Sequence, residues 1–251
     1  MKAVIMAGGK GTRLYPLTRH VPKPMVPLLD RPVLEYIVEW LAKHGSRDLL
    51  VTTCHLSHLV KEYFGAGERW NVSIRYSDEE QPLGTAGGVK LISSQLQDTF
   101  VVVSGDGLSD FDLSYALTAH RRSQAMVTML LTRVQCPQGY GVVVRDRFDN
   151  VIEFVEKPTT WDTRKMYWVN TGMYILEPEI LDYVPDGQSY DFGKELFPKL
   201  LRQGVTIKGL QMNGYWSDIG TLRQYYQTQL DMIEGRVNVS LPIEIDALEM
   251  V

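Results

Sequence analysis

The chain has 251 residues, a formal net charge of −4 and an apolar content of 44%, enough for one large α/β domain with a substantial core. The mild negative charge excludes a general nucleic-acid binder, whose affinity comes largely from neutralising phosphates. No apolar run approaches the roughly 18 residues needed to cross a bilayer, and the opening run is too short for a signal-peptide core. Two distant cysteines, Cys54 and Cys136, make no disulfide framework and fit a reducing compartment, so the expected location is cytoplasmic.

In chain order, the apolar run at 3–6 predicts a buried strand that opens directly into the glycine-rich turn Ala7-Gly8-Gly9-Lys10-Gly11-Thr12-Arg13-Leu14. Glycines at 8, 9 and 11 remove the β-carbons that would keep a phosphate from backbone N–H groups. Arg13, and Lys23 within VPKPMVP, can add the charge that those dipoles lack. Neither common glycine loop is present. Walker A needs GxxxxGK followed by Ser or Thr, and the dinucleotide fingerprint fails where its third glycine is Leu14.

Strand-like runs follow at 49–53, 72–76, 100–104 and 126–131, and helical patterns lie between them. Leu34, Ile37, Val38 and Leu41 fall on one face of a helix predicted over 33–44, with Gly45 as its terminator. Segments 56–64, 86–92 and 113–120 read the same way, with Asp110 and Asp112 as caps for the last. Strands alternating with helices imply a Rossmann-like α/β sheet, mixed but mostly parallel and flanked by helices, with ligands beyond the carboxyl ends of the strands. After residue 141 the pattern changes. Segments 141–145 and 151–156 flank a polar turn and predict a hairpin, further strands are expected at 168–176, 206–210 and 215–219, and a helix over 221–233.

GGKGTRL, then PLT and VPKPMVP, resemble the signature of the sugar-phosphate nucleotidyltransferases, the nucleoside-diphosphate-sugar pyrophosphorylases, with the nearest likeness to their mannose-1-phosphate guanylyltransferase branch. The likeness runs from Met1 to about Ile233. It implies a fold of the nucleotide-diphospho-sugar transferase type, with a catalytic domain over 1–235. Residues 236–251 are then a C-terminal extension, either the tail of a short form or the start of another domain such as the hexapeptide β-helix that several branches carry. The implied partners are a nucleoside triphosphate and a sugar-1-phosphate, with no nucleic acid and no membrane; homo-oligomerisation is left open.

Such a transfer needs no general base, because the attacking sugar-phosphate oxygen is already ionised and pyrophosphate is a good leaving group. It needs charge neutralisation and in-line positioning of two polyanions. Asp106, in SGDG after the strand at 100–104, and Asp218, in YWSDIGT, are strand-end carboxylates suited to a metal, although each could instead cap a helix. The resemblance assigns them Mg²⁺. It also gives Glu156 of EKP to sugar hydroxyls and Lys157 to the sugar phosphate. Asn170-Thr171-Gly172 interrupts an apolar strand, as a close ligand would require, and Tyr140-Gly141 reads as a matching sugar-side element. Gln81, Gly84 and Thr85 in QPLGTAGG form a nucleotide-side motif, in which Glu79 or Glu80 could accept from guanine. Arg13, Lys23, Asp106, Lys157 and Asp218 are therefore the expected catalytic set. His55 and His58 have a spacing usable for a metal but lack a third ligand, and Tyr215, Tyr225 and Tyr226 are expected in the core or on helix faces.

GTP and mannose-1-phosphate are the expected substrates, with glucose-1-phosphate and UTP or dTTP as the alternative. A sugar-nucleotide sensor without turnover would have lost charged residues that are present here. Gly107, where the resembled family more often has a larger residue, is a mild departure. A nicotinamide dehydrogenase is disfavoured by Leu14.

Overall fold

The structure, a computed structural model, describes residues 1–9 and 11–240. The part of the expected C-terminal extension at 241–251 lies outside the described residues. The first half runs β1 (Lys2–Met6), a small hairpin of β2 (Pro27–Leu28) and β3 (Arg31–Pro32), α1 (Val33–Lys43), β4 (Asp48–Thr53), α2 (Ser57–Phe64), β5 (Ser73–Asp78), α3 (Gly84–Leu91) and β6 (Phe100–Ser104). It continues with β7 (Gly107–Ser109), α4 (Leu113–Ser123), β8 (Val127–Val134), β9 (Gly141–Arg145), β10 (Val151–Glu156) and β11 (Tyr167–Leu176). The last elements are α5 (Phe197–Arg202), β12 (Ile207–Gln211), β13 (Trp216–Asp218) and α6 (Leu222–Ile233).

Among the described residues, nine strands form one sheet in the order β10-β9-β11-β6-β1-β4-β5, with β8 joined to β11 and β12. Strands β6, β1, β4 and β5 are mutually parallel, as helical crossovers require, whereas β11 enters antiparallel to β6. The expected Rossmann-like mixed sheet is present, and the second half extends it. Side chains alternate between two cores. Ile5, Val51 and Val103 pack with Leu34, Val38 and Leu41 of α1 on one face. Val4, Leu50 and Val102 pack with Val89 of α3 and with Phe197 and Leu200 of α5 on the other. Because both faces are covered, β1 and β6 carry nearly continuous apolar sequence rather than an alternating one.

Local chemistry sets the helix ends. Gly45 takes a left-handed φ of 80° just after α1. Asp112 caps α4 by accepting from the N–H groups of Ser114 and Tyr115, at 2.9 and 3.0 Å. Asp110 does not share that task. Its carboxylate accepts from the N–H of Tyr215 at 2.6 Å and of Asn238 at 2.9 Å, because the return of the chain through 215 and 238 brings orphan donors to it. Thr221, rather than Asp218, caps α6. Tyr215 reaches Asp231 at 2.8 Å and Tyr225 reaches the Pro27 carbonyl at 2.9 Å, but Tyr226 points to solvent on the far side of α6.

Candidate active site

The carboxyl ends of β1 and β6 lie side by side, with the Gly105 N–H donating to the Met6 carbonyl at 2.9 Å. The glycine loop leaves β1 at this point. Ala7 commits its N–H to the Thr52 carbonyl at 2.8 Å. Gly11 has φ +65°, and a β-carbon there would lie 2.9 Å from Lys23 Cβ and from Thr18 Cγ2. The loop therefore does more than expose N–H groups. It lets the stem of Lys23 cross against the backbone and reach the strand ends, where the side chain is buried.

Lys23 meets both predicted carboxylates. Its ammonium is ion-paired to Asp106 Oδ2 and lies 3.3 Å from Asp218 Oδ1. Asp106 follows β6 directly. Asp218 arrives through β13, which pairs antiparallel with β7 so that Asp218 stands opposite Gly107. The Ser104 hydroxyl donates to Asp106 Oδ1 and fixes that carboxylate from its other side. Burial opposes charge on all three groups. For Lys23 the attraction of Asp106 and then Asp218 outweighs it, so the ammonium titrates above its ordinary value. Asp106 likewise falls below the usual carboxylate range, burial being outweighed by Lys23. Asp218 is pushed up by burial and then by repulsion from Asp106.

One ammonium thus faces two carboxylates, leaving a negative charge that a further cation would compensate. Among the described residues, no group of three or more His, Cys, Asp or Glu side chains could hold a metal, and His55 and His58 form no such site. Two convergent carboxylates without further protein ligands fit Mg²⁺, which completes its octahedron with phosphate oxygens and water.

Two compartments adjoin this charge centre. The glycine-loop compartment is fronted by Ala7, Gly8, Gly9, Glu79, Pro82 and Gly84. Burial raises the Glu79 pKa, although the Leu83 N–H donates to Oε2 at 2.8 Å. The hairpin compartment is fronted by Tyr140, Gly141, Glu156, Lys157, Asn170 and Trp216. Lys23, Asp106, Ser104, Thr85 and Asp191 line both.

On the hairpin side, Tyr140 stacks edge-on against Trp216 at 5.3 Å, and burial, then Asp218, push its phenol up to about 12. Gln224 of α6 donates to that phenol oxygen. Lys157 adopts a left-handed φ of 48°, with its N–H on the Tyr140 carbonyl at 3.0 Å and its ammonium 3.3 Å from Glu156. The register of β11 against β8 breaks between Asn170 and Tyr174. Asn170 accepts from the Gly172 N–H at 2.9 Å and donates to the Tyr174 hydroxyl at 2.8 Å. The Thr171 hydroxyl donates to the Leu130 carbonyl at 2.8 Å and its own carbonyl accepts from the Trp216 indole at 3.1 Å, so both groups are already engaged within the protein.

Arg13 lies on the hairpin side, its guanidinium between Gly139 and Gly220, where β-carbons would stand 3.9 and 3.4 Å from it. Thr12 and Gln81 are exposed and line neither compartment. Asp191, Phe192, Gly193 and Lys194 also front the hairpin compartment, and the sequence reading passed over them. The polar-glycine run Asp191-Phe192-Gly193-Lys194 was the available signal.

This arrangement has counterparts among known proteins. The sequence profile of the nucleotidyl transferase family matches residues 2–235. The chain belongs to that family. A UTP–glucose-1-phosphate uridylyltransferase of Synechocystis is 40% identical over 257 residues, covering 96% of this chain and 66% of the relative. A mannose-1-phosphate guanylyltransferase of Mycobacterium tuberculosis is 37% identical over 235 residues, covering 93% of this chain and 65% of the relative. The chain therefore spans just under two thirds of the length of these relatives. A Bacillus anthracis protein provisionally assigned as a glucose-1-phosphate thymidylyltransferase, solved with sucrose, superposes with a TM-score of 0.81 at 26% identity, over 92% of this chain and 94% of that one. HddC of Yersinia pseudotuberculosis, solved with GMP-PN, shares the nucleotidyl transferase fold at 24% identity, with a TM-score of 0.79 over 92% of this chain and 99% of that one.

Proposed function

We propose that the chain transfers a nucleotidyl group from a nucleoside triphosphate to a sugar-1-phosphate, releasing pyrophosphate. The observation that carries this is the place of the Lys23–Asp106–Asp218 centre. Lys23 and Asp106 line both compartments, and the family's chemistry brings together two ligands that are each phosphorylated. In this reading the glycine-loop compartment takes the nucleotide against Ala7, Gly8, Gly9, Gly84 and Thr85, while Gly11 shapes the loop around Lys23 and Thr12 and Gln81 stay outside the lining. The hairpin compartment takes the sugar against Tyr140, Gly141, Glu156, Asn170 and Thr171.

An oxygen of the sugar phosphate attacks the α-phosphorus as the bridge to the β-phosphate breaks, and the bond electrons leave on pyrophosphate. No proton needs to move. Lys23, at the boundary, neutralises the pentavalent charge and holds the two phosphates in line. Arg13 adds charge beside Asp218, and Lys157 draws the sugar phosphate into place. Asp106 and Asp218 would hold Mg²⁺, which supplies Lewis-acid neutralisation of the phosphate oxygens.

The specific pair proposed is GTP with mannose-1-phosphate. It is supported by the likeness of the motifs, by the mannose-1-phosphate guanylyltransferases among the relatives, and by the Glu79 carboxylate, an acceptor suited to the N1–H and amino group of guanine. The 40% identity to the Synechocystis uridylyltransferase favours UTP with glucose-1-phosphate as the second reading. Competition decides between them, read by pyrophosphate release at fixed Mg²⁺. A higher kcat/KM for GTP and mannose-1-phosphate supports the first pair, and preference for UTP or glucose-1-phosphate overturns it while leaving the reaction class standing.

A further inference from the structure

Thr85 opens α3 and lines both compartments, as does Asp191, which lies over a hundred residues away in sequence. The Thr85 hydroxyl donates to Asp191 Oδ2 at 2.9 Å and accepts from the Phe192 N–H at 2.9 Å. The other oxygen of Asp191 accepts from the N–H groups of Gly193 at 2.9 Å and Lys194 at 3.2 Å, and Glu195 accepts from the Asp191 N–H at 2.7 Å. The 191–194 turn is thereby fixed as a unit, and Thr85 is the side chain that joins it to the nucleotide-side helix.

The two backbones are also in contact. Tyr190 donates to the Leu83 carbonyl at 2.8 Å, and its own carbonyl accepts from Ala86 and Gly87 at 2.9 Å each. Gly84 has φ +71°, and a β-carbon there would stand 2.7 Å from the Tyr190 carbonyl oxygen. Glycine at 84 is thus required by protein packing as well as by any nucleoside. On the far side of the turn, Glu156 presses against Gly193, where a β-carbon would lie 2.7 Å from Oε2. A continuous set of contacts runs from the Glu156–Lys157 pair, through the 191–194 turn and the Thr85 hydroxyl, to the first turn of α3. Glu156 and Lys157 front only the hairpin compartment and Gly84 only the glycine-loop compartment, while Thr85 and Asp191 between them line both.

We infer that Thr85 is a positioning residue whose hydroxyl couples occupancy of the sugar compartment to affinity in the nucleotide compartment. The inference rests on the proposed function. A sugar phosphate that settles the Glu156–Lys157 pair also settles the 191–194 turn, and through Thr85 it fixes the α3 N-terminus against the nucleotide. Linkage then requires the nucleotide to tighten sugar-phosphate binding by the same factor.

The test is calorimetric titration of the full chain with the α,β-methylene analogue of GTP, whose α–β bridge cannot be cleaved, and Mg²⁺, with and without saturating mannose-1-phosphate. The wild type should bind the analogue about 5-fold or more tightly with the sugar phosphate present. Thr85→Val keeps the shape but removes donor and acceptor, and it should reduce that ratio to about 2-fold or less. Thr85→Ser should restore it. Asp191→Asn, which keeps an acceptor for Gly193 and Lys194 but turns an amide toward Thr85, should lose it as well and guards against misfolding of the valine variant. A purely structural role would weaken each ligand alone or lower Tm and leave the ratio intact, and that result overturns the inference. So does a wild-type ratio of one, or loss of the ratio in Thr85→Ser. A wild type that binds neither this pair nor a UTP analogue with glucose-1-phosphate overturns the underlying function, and the coupling with it.

Discussion

The ammonium of Lys23 stands 3.3 Å from the carboxylate of Asp218, 195 positions away in the chain, while it is also ion-paired to Asp106. A loop beside β1, the end of β6 and the β13 hairpin-like return therefore converge on one cation. Lys23 is buried and held by both carboxylates. Replacing it with Met leaves two half-buried carboxylates facing each other, which should destabilise the fold by about 1–3 kcal/mol and lower turnover by at least about 100-fold. Urea unfolding and steady-state kinetics read the two effects separately. Unchanged stability would mean that another cation compensates the pair.

Asp106→Asn should reduce kcat by about 100-fold or more while nucleotide affinity changes by only a few-fold, since a metal carboxylate matters most where charge accumulates in the transition state. Binding of a triphosphate analogue by calorimetry, set beside kcat, checks this. Lost affinity with kcat unchanged would place Asp106 in ground-state binding alone.

Gly11→Ala should destabilise by about 1–3 kcal/mol, because φ is +65° and the added carbon would meet Lys23 and Thr18 at 2.9 Å. Turnover should fall with it, since the displaced group is the stem of Lys23. An alanine variant of normal Tm and activity would show that the crossing is not tight.

Burial raises the Glu79 pKa in the folded chain. At low pH, Glu79 is neutral folded and unfolded, and it adds nothing. As pH rises through the carboxylate range, ionisation favours the unfolded state, where the pKa is lower, so the folded state loses stability. Glu79→Gln keeps an oxygen for the Leu83 N–H and removes this loss. Its stability relative to wild type should increase between about pH 4 and about pH 7, by thermal unfolding across that range. A difference independent of pH would contradict the burial argument.

Much of this architecture is written in local pattern. The apolar runs at 100–104 and 141–145 match β6 and β9 residue for residue, because buried strands show continuous hydrophobicity and the polar turn at 146–150 sets the hairpin. Strand-end position together with the family resemblance singled out Asp106 and Asp218, and the glycine loop followed by VPKPMVP singled out Lys23. Other features are tertiary. Asp110 looked like a helix cap and instead holds residues 215 and 238, partners that no local window contains. The 191–194 turn reaches the site through long-range contacts with Gly84 and Thr85 on one side and Glu156 on the other. Nothing in the sequence near either segment announces that pairing. In the sequence Gly84 reads as part of a nucleotide-side motif, whereas the carbonyl of Tyr190 demands glycine there on packing grounds.

The most direct test of the proposed function follows the α-phosphate. The chain is incubated with Mg²⁺, mannose-1-phosphate and GTP labelled in the α-phosphate, and the products are separated. Nucleotidyl transfer across the Lys23–Asp106–Asp218 centre predicts label in the nucleoside-diphosphate sugar, with one pyrophosphate released for each transfer and none of either without Mg²⁺. Label that stays in the triphosphate here, and again with UTP or dTTP and glucose-1-phosphate, would contradict the account.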